Sequence, residues 1–475
     1  MAQRSAVELS DFITATQWFF FAYLIGINAG YLMLTLLSFG SIKRYMDSRA
    51  LESLPKVYSG FETPVSILVP AYNEEATIAA SIHSLLQLNY AEFEVVVIND
   101  GSKDNTLETL LREFHMVPFP EAYRKNIAVK PVRGIYRSTR NPNLRVIDKE
   151  NGGKADSLNA GINASRYPLF CAVDADSILE RDSLHRVVLP FLEDPDTIAS
   201  GGTVRIANGC TVTGGFLTNI GLSTNLLALL QIVEYLRAFL FGRLGWSPLN
   251  AVLIISGAFG VFRKDRVVDA GGYRTDCLGE DMELVVRLHR LHREQGKRYR
   301  IVFVPDPICW TEAPESLRVL QSQRIRWQRG LAESLALNRS LLLNRKGGTA
   351  GWIAFPFMAL FEWMGPLIEV TGYFFMVASF LFGLVSPVAF LTFMTMAFCL
   401  GLLLSVSALL LEELSFQTYA KPHQLVILLL IALIDNLGFR QLVSAWRVIG
   451  LWRWWRGSKS HWGEMRRTAS WQRAA

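Results

Sequence analysis

The hydrophobic rhythm changes twice along the chain. Residues 17–39 carry no charge across roughly 20 positions, enough for one helix to cross the hydrocarbon core. Residues 40–345 mix charged and apolar positions as a folded domain in water does, and the last third returns to long apolar runs. A cleaved signal peptide would have a shorter core ending in small residues, whereas Lys43 and Arg44 follow the first run directly, so it reads as an uncleaved anchor. Lys43, Arg44, Arg49 and Lys56 follow it, and Arg4, Glu8 and Asp11 precede it, which puts the central domain on the cytoplasmic side.

In the apolar third, residues 365–384 and 388–411 read as paired spans joined at Ser386-Pro387. Residues 352–363, with Pro356 and Glu362, read as an amphipathic helix in the interface. Residues 425–446 leave two readings, a span or an interfacial or re-entrant helix, because Asp435, Asn436, Arg440 and Gln441 are costly in lipid unless they face protein or water. The expected divisions are an anchor at 1–40, a soluble domain at 41–345, an interfacial helix at 346–363, a membrane region at 364–446 and a basic tail at 447–475.

Within the soluble domain the pattern alternates strand and helix. Val65–Val69 is a β-branched run ended by Pro70, with a helical period at 77–88, and residues 93–98 form the next strand before Asn99-Asp100-Gly101-Ser102. Such alternation predicts an α/β fold, a mostly parallel sheet with helices on both faces. Ligands in such sheets bind beyond the carboxyl ends of the strands, where Tyr72, Asn73, Glu74 and Asp100 fall. Turn and cap chemistry accounts equally well for either loop taken alone. No glycine-rich dinucleotide fingerprint or Walker loop follows the first strand, so a nucleotide here would be held by side chains and metal.

Asn151-Gly152-Gly153-Lys154 opens a helix and supplies a mobile cation. The apolar strand 169–173 emerges at Asp174-Ala175-Asp176, hard oxygen donors suited to Mg²⁺ or Mn²⁺. Ser256-Gly257-Ala258-Phe259-Gly260 is either a small-residue pocket or a tight packing site. Gly279-Glu280-Asp281 leads into a helix at 282–292, where an aspartate is ordinarily a cap, and His289 and His292 read as a solvated face. In Gln323-Arg324-Ile325-Arg326-Trp327 the guanidinium groups can neutralise a diphosphate and the indole can stack on a sugar, while an interfacial Arg/Trp anchor is the plainer account.

The net charge of +6 is concentrated in the tail, at Arg447, Arg453, Arg456, Lys459, Arg466 and Arg467 beside tryptophans, which fits anionic membrane lipids rather than nucleic acid. Five scattered cysteines without a CxxC pair imply neither zinc nor a disulfide framework.

Taken in order, these motifs resemble those of the membrane-embedded family 2 glycosyltransferases, which include cellulose, hyaluronan and poly-N-acetylglucosamine synthases. The likeness runs from about Val65 to Gly330 and on into the apolar third. It implies a GT-A fold that binds a UDP-sugar as donor substrate, with Asp100 and Tyr72, Asn73 and Glu74 at the uridine, and with Asn99 standing where many relatives have a second aspartate. It implies that Asp174 and Asp176 hold Mg²⁺ or Mn²⁺, that Lys154 lies near the nucleotide, and that Asp281, beside Glu280, is the general base. Gln323, Arg326 and Trp327 would close over the diphosphate and form the acceptor platform. The activity implied is an inverting hexosyltransferase in the bacterial inner (cytoplasmic) membrane, multi-pass with its catalytic domain inside. It would extend a β-linked polysaccharide and thread it outward, completed by an accessory subunit or a homo-oligomer. Two alternatives accompany it: single addition to a lipid-linked acceptor, and an inactive scaffold of an envelope-polysaccharide complex.

Overall fold

A computed structural model describes residues 2–52, 62–419 and 421–457. Lys56, Lys459, Arg466 and Arg467 lie outside the described residues. Among the described residues twelve strands occur, in chain order: β1 (Val65–Ala71), β2 (Phe93–Asn99), β3 (Met116–Pro118), β4 (Val132–Ser138), β5 (Leu144–Lys149), β6 (Leu169–Val173), β7 (Ile178–Leu179), β8 (Thr197–Ile206), β9 (Thr211–Thr213), β10 (Phe216–Asn219), β11 (Phe259–Arg263) and β12 (Arg300–Thr311). Ten form one sheet in the order β3-β4-β5-β2-β1-β6-β11-β8-β12-β7, and β9 and β10 form a separate hairpin.

The centre of the sheet is parallel. Strands β5, β2, β1 and β6 run together, and Val65, Ile67, Leu68, Val95, Val96 and Val97 are all fully buried, which is why these strands read as continuous apolar runs. The sheet as a whole is mixed, because β11 enters antiparallel between β6 and β8, and the β3–β4 and β4–β5 pairs at one edge are antiparallel. The antiparallel entry matters for the site. Phe259 pairs with Val173, so β11 begins where β6 ends and Ser256-Gly257-Ala258 lies beside Asp174.

The helix Leu317–Leu337 links this domain to the membrane region through two close backbone approaches. At Gly330 a Cβ would stand 2.8 Å from the nitrogen of Gly279, and at Gly450 one would stand 2.8 Å from the carbonyl of Ile325. Side chains at either crossing would push the helices apart.

Among the described residues, three helical stretches are long and apolar enough to cross a membrane: Asp11–Asp47, Pro387–Ser415 and Pro422–Trp455. Ala350–Trp363 and Gly365–Leu381 pass together as a pair bent by 43°. Residues 425–446 belong to the helical stretch Pro422–Trp455, in which Asp435 and Asn436 are buried. Asp435 pairs with Arg237, and Arg440 donates to Asn436 at 3.2 Å. The segment 352–363, taken as interfacial, packs on the soluble domain, where Gln328 donates to the carbonyls of Glu362 and Trp363 at 3.1 Å each.

Two expectations are corrected. His289 and His292 do not form a solvated face: His289 is fully buried between the Tyr299 hydroxyl at 2.8 Å and the Val252 carbonyl at 2.9 Å, and His292 is 6% exposed. Burial lowers the His289 pKa to about 4, so the ring is neutral at physiological pH. Arg447 is not part of a lipid-facing tail, for it turns inward to Glu362 at 2.8 Å and Gln328 at 2.7 Å.

A second ion pair joins sheet to membrane helix, between Arg205 of β8 and Glu412, which are 1% and 3% exposed. Replacing Glu412 with Ala leaves a buried, uncompensated guanidinium and should cost about 3 to 5 kcal/mol. Replacing both partners by Met and Leu should restore most of it. Thermal unfolding of detergent-purified variants tests this, and equal loss in the single and double variants would contradict it.

Candidate active site

Because β1, β2 and β5 end in register, with Ala71 beside Asn99 and Asn99 beside Asp148, their following loops meet at one edge. Asp100 is buried there, 3% exposed, and both its oxygens are engaged. One oxygen accepts from Lys149 Nζ at 2.7 Å and from the Gly152 amide at 2.9 Å. The other accepts from the Gly153 amide at 2.8 Å and Asn151 Nδ2 at 3.2 Å. Asp100 thereby shapes the Gly152-Gly153 turn. The neighbouring Asn99 donates to Asp148 at 2.7 Å, a bond that a second aspartate could not make as a carboxylate.

On the other side of β2's end, in the loop after β1, Asn73 adopts a left-handed backbone (φ 56) and accepts from the Lys103 amide at 2.9 Å. The Glu74 amide donates to Thr106 at 2.8 Å and its carboxylate accepts from Thr77 at 2.8 Å. Tyr72, Asn73 and Glu74 line the same cavity as Asp100.

Lys154, the first residue of the helix Lys154–Ala164, contacts Asp174, lies 3.9 Å from Glu280, and donates to the Gly257 carbonyl at 3.0 Å. The Gly257 amide in turn donates to Asp281 at 2.9 Å. Asp281 is the second residue of the helix Glu280–Glu294 rather than its cap, which is Gly279. Its other oxygen accepts from the Met282 amide at 2.8 Å, so the carboxylate is oriented and still has acceptor capacity on both oxygens. Asp176 is buried at 8% exposure and follows Asp174 in the turn after β6.

Burial is the main cause that raises the Glu280 pKa to about 7, with the Asp281 charge adding to it and Lys154 opposing. Burial alone would lower the Lys154 pKa, but Asp174 and Glu280 more than reverse this and hold it above its ordinary value.

From the helix Leu317–Leu337 come Gln323, Arg326 and Trp327, which line the cavity, with Trp327 44% exposed. Arg324 has a different part from its neighbour. It is buried, donates to Glu234 at 2.6 Å and to Gln323 at 3.2 Å, and stacks over the Trp327 ring at 4.3 Å. All twelve residues singled out from the sequence therefore border one cavity of about 1900 Å³, which continues between the membrane helices as far as Glu369 and Ser444. Sequence reasoning missed Lys149, for which a lysine ending an otherwise buried strand is a recognisable signal. Of the two readings left for Ser256 to Gly260, the pocket holds for Gly257, which the antiparallel β11 brings to the cavity.

Residues 66–264 match the family model described as Glycosyl transferase family 2, and residues 169–405 match that of Glycosyl transferase family group 2. The chain belongs to glycosyltransferase family 2. It is 32% identical over 274 residues to a poly-β-1,6-N-acetyl-D-glucosamine synthase of Staphylococcus aureus strain COL, a match covering 57% of this chain and 55% of that protein. Identity to the synthase of the same name from Staphylococcus epidermidis is 30% over 272 residues, with the same coverage. The chain thus aligns with about half the length of these relatives. Among solved structures, a mannosyltransferase from Pyrobaculum calidifontis in complex with GDP-Man and Mn²⁺ shares the fold, with a TM-score of 0.50 and 19% identity over 87% of this chain and 99% of that one.

Asp174 and Asp176 fit a hard divalent cation by donor type and by position at a strand end. Among the described residues, no group of three or more His, Cys, Asp and Glu side chains is arranged to hold an ion. A cation in this family 2 transferase would therefore need oxygens from a diphosphate and from water to complete its shell, as Mg²⁺ and Mn²⁺ commonly do. Calorimetry should show Mn²⁺ binding tightened at least tenfold by UDP and lost in Asp176→Asn; equal affinity with and without UDP would contradict this.

Glu280 provides a pH test on the metal-free protein. Its carboxyl keeps its proton to about pH 7 when folded but to 4.5 when unfolded, so its contribution to stability is full below 4.5 and is lost as pH rises through about 7. The Glu280→Gln variant should have a flatter pH dependence of unfolding across that window.

Proposed function

We propose that this transferase moves N-acetylglucosamine, or a closely related hexose, from its UDP derivative to the end of a β-linked polysaccharide that it passes outward. The observation carrying the reading is the single cavity that has Asp174, Asp176 and Asp281 at one end and membrane-helix residues Glu369 and Ser444 at the other. The name of the staphylococcal relatives supports the choice of sugar.

In this reading the Asp281 carboxylate, oriented by the Gly257 and Met282 amides, takes the proton of an acceptor hydroxyl. That oxygen attacks the anomeric carbon as its bond to UDP breaks, so an α-linked donor yields a β-linkage. Lys154 and Arg326 offset the charge that develops on the departing diphosphate. A divalent ion held by Asp174 and Asp176, when bound, supplies further neutralisation of that charge. Trp327, with its ring exposed, offers a face on which the acceptor sugar stacks. The basic residues Lys43 and Arg44 after the first span support a cytoplasmic catalytic domain, in the inner membrane of a bacterium.

The test is UDP release by detergent-purified protein with Mn²⁺ against a panel of UDP-sugars, with products sized by gel. A high-molecular-weight product from UDP-N-acetylglucosamine is the expected outcome, and Asp281→Asn should reduce turnover by about 10² to 10⁴ with UDP affinity unchanged. Transfer only to an added lipid acceptor would replace the polymer reading with single addition, and absence of turnover with every donor would overturn both.

A further inference from the structure

Four cations that line the cavity have an anionic partner. Arg324 pairs with Glu234 at 2.6 Å, Arg237 with Asp435, Arg447 with Glu362 at 2.8 Å, and Lys154 with Asp174. Arg243 differs. Among the described residues its side chain makes no ion pair and no hydrogen bond, and its Nη1 is shut off from solvent without an acceptor. A buried guanidinium nitrogen without an acceptor carries a desolvation cost unless a ligand completes it.

The guanidinium does not hang loose. It lies over the Phe239 ring with its central carbon 3.7 Å from the centroid, close enough for a cation–π contact that fixes its plane. Burial lowers its pKa to about 10, with the Asp281 charge opposing, so it stays cationic at neutral pH. It borders the same cavity as Asp281. Its segment also abuts the first membrane helix, since at Gly245 a Cβ would stand 2.6 Å from the Leu34 carbonyl.

We infer that Arg243 is an acceptor-binding residue, whose free N–H groups donate to an oxygen of the terminal acceptor sugar and hold its hydroxyl against Asp281. The inference rests on the transferase reading given above. Two observations favour the acceptor over the diphosphate. The charged group felt most strongly by Arg243 is Asp281, and the oxygen that loses its proton to Asp281 must lie within reach of that carboxylate. Lys154 stands beside Asp174, at the strand end assigned to the diphosphate, whereas Arg243 stands on the segment packed against the membrane helix. A planar donor fork held flat suits a sugar hydroxyl or an N-acetyl carbonyl, which are neutral acceptors that leave the cation in place.

The experiment uses the full chain in detergent, with UDP-N-acetylglucosamine as donor, Mn²⁺, and a β-1,6-linked N-acetylglucosamine tetrasaccharide as added acceptor. Arg243→Ala should raise the KM for the tetrasaccharide about tenfold or more, the loss of one charge-assisted hydrogen bond, while the affinity for UDP with Mn²⁺ stays within twofold. Arg243→Lys, which keeps the charge but not the fork, should recover only part of that KM and guards against a folding defect in the alanine variant. Weakened UDP affinity with an unchanged acceptor KM would assign Arg243 to the nucleotide and overturn the inference, as would variants kinetically equal to the parent. Failure of the parent protein itself to turn over this donor would instead count against the transferase reading.

Discussion

A short loop, residues 150–153, separates buried Lys149 from half-buried Lys154, and these two cations let the carboxylates gathered around them share one sheet edge. Lys149 ends β5 and binds Asp100 and Asp156 at 2.7 and 2.6 Å. Lys154 begins the next helix and binds Asp174 with Glu280 nearby. Like charges a few ångströms apart in a partly dry site repel strongly, and an interposed ammonium turns that repulsion into attraction. The Gly-Gly turn between the lysines is itself tied to Asp100 by two backbone amides, so the position of each lysine fixes that of the other. Asp100 after β2 and Asp174 after β6 are both held from this segment.

The membrane helices are attached to that site through side chains that would be costly in lipid. Arg205 meets Glu412 and Arg237 meets Asp435, each pair joining the soluble domain to a helix apolar enough to span. The helix Leu317–Leu337 lies between the two parts, held against Gly279 on one side and Gly450 on the other by contacts that only glycine permits. A shift of the membrane bundle would be felt at Trp327 and Asp281 through these two crossings. In the polymer reading proposed above, a mechanical link between transfer and passage of the product would run through this helix.

Much of the fold was legible because buried parallel strands write themselves as apolar runs. Val65–Val69 and residues 93–98 could be little else, and the loop residues that follow them had to fall at one edge. The antiparallel entry of β11 was not legible, since a five-residue apolar strand carries no mark of its direction. That is why Ser256 to Gly260 could be read equally as a pocket or a packing site, and why Asp281 taken alone looked like an ordinary cap. His289 and His292 were misjudged for a related reason: arginines flank them in sequence, but the helix turns its histidine face inward to Tyr299 and Val252. Arg324 and Arg326 look equivalent on paper, yet Glu234, ninety residues upstream, claims the first.

By itself the sequence determined the class of chemistry, because the identities and order of Asp100, Asp174, Asp176, Asp281 and Gln323 to Trp327 limit what such a cluster can do. It also determined that the chain has membrane helices, since an uncharged run of that length leaves little alternative to lipid or a buried core. Only the tertiary structure decided which charges are spent on one another and which remain for a ligand. Ion pairing depends on distances between residues far apart in the chain, so no local pattern could reveal that Arg237, Arg324 and Arg447 are occupied while Arg243 is not.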